Sequence, residues 1–166
     1  MEVASAITER SREMRREFDR TFAKPAFLNG ATMVDLLAIG LGANNFAVRL
    51  SEIAGLFVDK KVTPVPGPNA ALVGIAGFRG AIIPVYDLQS LIGQAAGRTS
   101  RWLFVAAAAP VGFSFDAFVG QMRVPADAIK PQQAQAKQGL ARDLVQIDGA
   151  LRPIIELSPV IDTIKN

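Results

Sequence analysis

Over residues 1–24 the polar and apolar positions follow a helical period. Met14, Phe18 and Phe22 recur at i, i+4 and i+8 among eleven charged side chains, which predicts a helix with a narrow apolar stripe. Glu9 with Arg12 and Glu13 with Arg16 can pair across one turn, and Pro25 stops the pattern. This extension is assigned to residues 1–28, as a solvated helix resting on the body or as a docking helix for a partner.

Beyond Asn29-Gly30 the period becomes two. Leu37, Ile39 and Leu41 alternate, Gly42-Ala43-Asn44-Asn45 supplies turn residues, and Phe46, Val48 and Leu50 alternate again, which predicts a hairpin. Short apolar runs follow at 53–58, 82–86, 102–105, 111–118, 144–147 and 151–157, each bounded by Gly, Pro, Asn or Asp. Many short strands at close spacing predict small barrels or a sandwich. Pro64, Pro66 and Pro68 cannot donate to a ladder, so that segment is an extended crossover. Residues 130–139 lack an apolar anchor and read as a loop. Ser158-Pro159 offers an N-cap and an N1 proline to a short closing helix, with Val160, Ile161 and Ile164 on one side. Within this frame, Gly80-Ala81-Ile82-Ile83-Pro84-Val85-Tyr86-Asp87-Leu88 matches Gly149-Ala150-Leu151-Arg152-Pro153-Ile154-Ile155-Glu156-Leu157 in glycine, alanine, proline, acid and final leucine. One compact unit therefore occurs twice.

Composition narrows the chemistry. Half of the 166 residues are hydrophobic and a fifth are charged, a mixture that buries a core. Cys and His are absent, which removes thiol nucleophiles, imidazole bases, disulfides and the usual zinc and haem ligands, so no metal and no cofactor is expected. The eighteen basic residues are nearly balanced by fifteen acidic ones, and no strip of interleaved aromatics and cations marks a nucleic-acid surface. No apolar run is long enough to span a bilayer, so membrane insertion is not expected, and the lack of Cys and of an apolar leader fits a reducing cytoplasm. Asp87 and Glu156 each precede an apolar helical turn, where a carboxylate caps the helix, and this role is preferred to paired acid-base chemistry. Gly74, Gly77 and Gly80 lack the long following helix of a phosphate loop and are read as turn glycines, as is Gly149. A hydrolase or isomerase working with carboxylates alone remains an alternative class, although no nucleophile-base pair is offered.

The stretch Val73-Gly74-Ile75-Ala76-Gly77-Phe78-Arg79-Gly80-Ala81-Ile82-Ile83-Pro84-Val85-Tyr86-Asp87-Leu88 resembles the signature of CheW-like domains, in which an Asn-Leu-Arg-Gly turn opens a strand ending in Pro-Val-x-Asp-Leu. The hairpin at 36–50, the proline crossover, the strands at 102–118 and the second Gly-to-Leu unit flank it in the family's order. The resemblance thus spans residues 33–164. It implies an all-β domain of two SH3-like, five-stranded barrels packed along an apolar seam, here with an extra N-terminal helix and a short C-terminal helix. It also implies a protein without a reaction of its own, a scaffold in a chemotaxis-like signalling pathway. Such an adaptor couples the cytoplasmic tip of a methyl-accepting chemoreceptor to the regulatory domain of a CheA-type histidine kinase, and other CheW-like proteins are further partners. An alternative is a divergent scaffold that binds only receptor, or only another scaffold.

Carried over by position, Arg79 is the arginine of the signature turn, Ile53 an apolar residue of the receptor-facing strand, and Gly112 the opening of a second strand bordering the same region. Arg79 between Phe78 and a turn glycine makes an interface anchor, since arginine and aromatics are enriched in binding hot spots. Two departures stand out. Gly77 occupies the usual Asn position, and Gly55 falls where many members place a Glu able to pair with the arginine. Residues 106–109 before Pro110 also form an unusually apolar hairpin connection.

Overall fold

The computed structural model describes residues 30–95, 100–132 and 140–166; the helix expected over 1–28 lies outside them. Eleven strands run in chain order: β1 (Met33–Leu41), β2 (Asn44–Arg49), β3 (Ile53–Val58), β4 (Leu72–Phe78), β5 (Ala81–Asp87), β6 (Trp102–Ala106), β7 (Gly112–Phe115), β8 (Ala117–Pro125), β9 (Ile129–Pro131), β10 (Ala141–Ile147) and β11 (Ala150–Ile155). Two short helices, α1 (Leu88–Leu91) and α2 (Leu157–Lys165), follow β5 and β11.

The strands form two sheets. One takes strands from both ends of the described chain, in the order β8-β1-β2-β11-β10-β9, and the other takes β3-β6-β7-β5-β4 from its middle. We call them the terminal and the inserted barrel. Each is two antiparallel hairpins joined by one parallel pair, β2 to β11 and β5 to β7. Each closes by the same device, in which one segment bends so that its two halves reach opposite sheet edges. In the terminal barrel β8 pairs with β1, a 3-10 turn over Ala126–Ala128 bends the chain, and β9 pairs with β10. In the inserted barrel β3 pairs with β6, and its continuation reaches β4 through reciprocal backbone bonds between Thr63 and Ile75 of 2.8 and 2.9 Å. Gly74 is required at this closure, because a Cβ there would lie 2.2 Å from the Thr63 carbonyl oxygen.

Three buried clusters follow from this arrangement. Leu36, Ala47, Val145, Ile147 and Ile154 fill the terminal barrel, and Ala76, Ile83, Val85, Leu103 and Val105 fill the inserted one. Between the barrels lies the largest cluster, where Leu37, Ile39, Leu41 and Val48 meet Phe104, Phe113 and Phe115, with Val160 and Ile161 of α2 alongside. The alternation read at Leu37, Ile39 and Leu41 is therefore the seam face of β1. The opposite face is buried as well, because β1 is sandwiched between its barrel interior and the seam.

The all-β expectation holds, as do the two barrels and the proline crossover. The inserted barrel has the five strands expected, whereas the terminal one has six strand segments because the 3-10 turn divides its closing strand. The run 111–118 is not one strand: it breaks at Asp116, whose carboxylate accepts from the backbone N–H of Gly42 at 2.8 Å and from Ser100 Oγ at 3.2 Å. Strand β4 was not anticipated, since Gly74, Ala76 and Gly77 dilute its apolar signal; Gly74 and Gly77, read as turn glycines, are strand residues held in the ladder with β5. Lys130 and Pro131, read as loop, belong to β9, where β10 supplies the anchor that the local sequence lacks. Ser158 is not the N-cap of the closing helix, which begins at Leu157 because β11 delivers the chain one residue earlier.

Candidate partner-binding surface

The signature turn is a two-residue hairpin loop. Phe78 pairs with Ala81, and Arg79 and Gly80 both have positive φ, 49° and 79°. Such turns match the twist of the flanking strands but need left-handed backbone at both positions, so glycine is favoured at the second and Asn or Asp at the first. The repeat unit meets this rule with Asp148-Gly149, at φ 49° and 78°, between Ile147 and Ala150. Arg79 breaks the rule. A non-glycine residue held left-handed costs roughly 1–2 kcal/mol, and an arginine lacks the short polar side chain that offsets it.

The side chain of Arg79 is exposed. Its guanidinium lies 4.9 Å from the centre of the Phe78 ring and reaches the Ala54 carbonyl of β3 only at 3.5 Å. Among the described residues no carboxylate lies within 4.0 Å of it, and the space above Gly55 is filled by rings. Phe57 and Phe78 meet edge to face at 5.8 Å, and a Cβ at Gly55 would lie 2.9 Å from Phe57 and 3.1 Å from Phe78. An aromatic pair occupies the space of an acidic side chain. Lys60 caps the pair with its ammonium 4.6 Å from the Phe57 ring centre.

Beside the turn runs a shallow groove of about 400 Å³ lined by Lys60, Lys61, Thr63, Ile75, Gly77 and Ile82. Ile82 is 75% exposed. Nothing in periodicity marked it, because its place in the alternation is that of an outward-facing strand residue.

The other expected site residues separate. Ile53 is half-buried at the start of β3, one residue from the carbonyl that Arg79 reaches, and packs on the seam. Gly112 is buried, pairs with Val85 and Val105, and would push a Cβ to 3.3 Å from Val85; it packs the sheet interior and presents no surface. Asp87 caps α1 as expected, its Oδ2 accepting from Ser90 N–H at 3.1 Å and from Ser90 Oγ at 2.5 Å. Glu156 occupies the corresponding position but does not cap α2. Its carboxylate is drawn to Arg49 at 4.0 Å and Arg142 at 3.9 Å, and the cap comes from Glu52, whose Oε1 accepts from Leu157 N–H at 3.1 Å. Glu52 lies on the link between the two barrels, so its capping role is invisible to local sequence. Burial pushes its carboxyl above the ordinary value of 4.5, against the opposing pull of the Leu157 N–H and Arg49.

Elsewhere, Arg123 opposite Asp35 and Arg101 beside Asp59 form fork-like pairs that hold both carboxyls below the usual range. Among the described residues no cluster of acidic side chains is placed to hold a metal ion, and no helix is long and apolar enough to cross a membrane.

Two closed, SH3-like barrels sharing an apolar seam, with a cation raised on a signature turn, define a double-barrel protein. The family model described as CheW-like domain matches residues 35–165. Similar proteins include the chemotaxis protein CheW of Rhizobium meliloti, 27% identical over 76% of this chain and 86% of that protein, and the chemotaxis protein CheW of Thermotoga maritima, 24% identical over 78% and 89%. The scaffolding protein TtCheW of Thermoanaerobacter tengcongensis shares the fold, with a TM-score of 0.67 at 18% identity over 75% of this chain and 90% of that one. The chain belongs to the CheW-like domain family.

Proposed function

We propose that this scaffold is a non-catalytic adaptor that couples a methyl-accepting chemoreceptor's cytoplasmic tip to the regulatory domain of a CheA-type histidine kinase, in the cytoplasm. Residues 33–164 form the coupling domain, and residues 1–28 adjust partner choice. The observation that carries this reading is the Arg79-Gly80 turn. An exposed arginine is kept in left-handed backbone where the equivalent turn uses Asp148, and it has no carboxylate within 4.0 Å among the described residues. Strain of this kind persists where a side chain is wanted for binding. Arg79 with Phe78, Ile53 and the exposed Ile82 supplies a cation, an aromatic and aliphatic contacts on one edge of the inserted barrel.

The Gly55 aromatic pair supports a second reading, a scaffold that engages only the receptor or only another scaffold, because the usual acidic neighbour of the arginine is replaced by rings. Calorimetric titration against a receptor cytoplasmic hairpin and against a kinase regulatory domain separates the two. Coupling requires both to bind. Arg79→Ala should weaken at least one complex about thirtyfold, which corresponds to roughly 2 kcal/mol, with thermal unfolding unchanged. Equal affinities for wild type and variant would remove Arg79 from the interface.

A further inference from the structure

The repeat places Arg152 where the inserted barrel has Ile83. Ile83 is buried and packs with Val85 and Leu103. Arg152 lies on the same face of β11 as Ile154, a core residue of the terminal barrel, so its stem fills the matching position and its head arrives at the barrel mouth. There its Nε and Nη1 are shielded from solvent and have no acceptor among the described residues, and no carboxylate among them lies within 4.0 Å. A guanidinium cannot shed this cost by losing its proton, and charged donors left unmade are among the most destabilising arrangements a fold carries. The corresponding position of the other barrel is filled by an isoleucine.

Arg152 also lines a groove of about 290 Å³, together with Asn44, Asn45, Phe46, Leu151 and Pro153. Leu151 is 67% exposed, and the two asparagines stand at the start of β2 with side chains open to solvent. We infer that this mouth of the terminal barrel is a carboxylate-binding site for an acidic segment of a partner protein, with Arg152 receiving an Asp or Glu side chain. The guanidinium supplies the positive charge that recognises a carboxylate. The asparagine amides suit the main chain of an extended segment, and Leu151 with Phe46 suits an apolar residue flanking the acid. The assignment does not rest on the coupling reading, since the site is in the other barrel from Arg79.

The test is an NMR titration of the full chain with an acetylated and amidated peptide, Ser-Leu-Glu-Leu-Ser, with its Gln-for-Glu counterpart and with sodium acetate. The Glu peptide should bind saturably and shift the Asn45 and Arg152 signals. The Gln peptide, acetate, and the Glu peptide on Arg152→Ile should each bind at least about tenfold more weakly, as expected for loss of a charge-assisted pair. Arg152→Ile should melt at or above the wild-type temperature, because it removes two shielded donors that have no acceptor among the described residues. Arg152→Met, which keeps the stem, provides the same comparison if the isoleucine variant folds poorly. The proposal is overturned by failure of the wild type to bind, by equal binding of the Glu and Gln peptides, or by acetate binding as tightly as the peptide. Lower melting temperatures for both variants would also overturn it, since they would make the guanidinium a structural group.

Discussion

The two barrels repeat one backbone closely while differing in nearly every chemical detail. Both have a bulge at the same place, between Leu72 and Gly74 in one and between Ala141 and Asp143 in the other, and both end in a two-residue turn with paired positive φ values. On that shared frame the turn residue is Arg79 in one and Asp148 in the other, the closure position is Gly74 or Asp143, and the inward residue is Ile83 or Arg152. The lesson is that hairpin register, bulge and parallel joint specify the unit, whereas the side chains on it are free to diverge. Departures from local rule, such as a left-handed arginine or an inward one with no acceptor for two of its donors among the described residues, then stand out against an internal control.

The comparison can be broken most severely at the closure. Gly74→Ala should destabilise the protein by about 3 kcal/mol or more, because the added Cβ must displace the Thr63 backbone and the inserted barrel closes there through a single bridge. Chemical denaturation measures it. The terminal barrel should show no such sensitivity at Asp143, where a side chain already fits and is paired with Arg49. A loss below about 0.5 kcal/mol for Gly74→Ala, the scale of an ordinary surface substitution, would show that Thr63 gives way easily.

The acids that end the two repeat strands give a smaller contrast. Asp87→Ala should cost about 1–2 kcal/mol through loss of the α1 cap, while Glu156→Ala should change stability by less than about 0.5 kcal/mol, because its ion pairs are long and it caps nothing. Equal costs measured by urea unfolding would contradict the assignment of α2's cap to Glu52.

The smallest effect concerns pH. The folded-state pKa of Glu52 is raised by burial above 4.5, so between that value and the folded one the native chain holds more protons than the unfolded chain. Stability contributed by this group is therefore full at low pH and falls as pH rises through that window. Glu52→Gln keeps an oxygen for Leu157 N–H and removes the titration. The variant should match wild type at pH 4 and melt slightly higher at pH 7, and a lower melting temperature at pH 7 would mean that the charge itself holds α2.

Much of this was legible in advance for identifiable reasons. Turn glycines at 80 and 149 and the capping Asp87 follow from interactions within a few residues. The aromatic pair over Gly55, the strand identity of Lys130 and Pro131, and the cap from Glu52 all depend on residues distant in sequence. Arg152 shows the limit best: it sits inside the repeat that the sequence reveals, yet only the fold shows that two of its donors have no acceptor among the described residues.

By itself the sequence determined the all-β class, the repeat, the signature turn and the closing helical stripe of Val160, Ile161 and Ile164, because periodicity, turn chemistry and burial preference are local properties. Only the tertiary structure decided which strands close each barrel, that Gly112 is interior, that Glu52 and not Glu156 caps the closing helix, and which cations have no carboxylate beside them among the described residues. Those outcomes depend on which distant segments share a sheet edge or a seam, and the free energy of such contacts is written in no single stretch of chain.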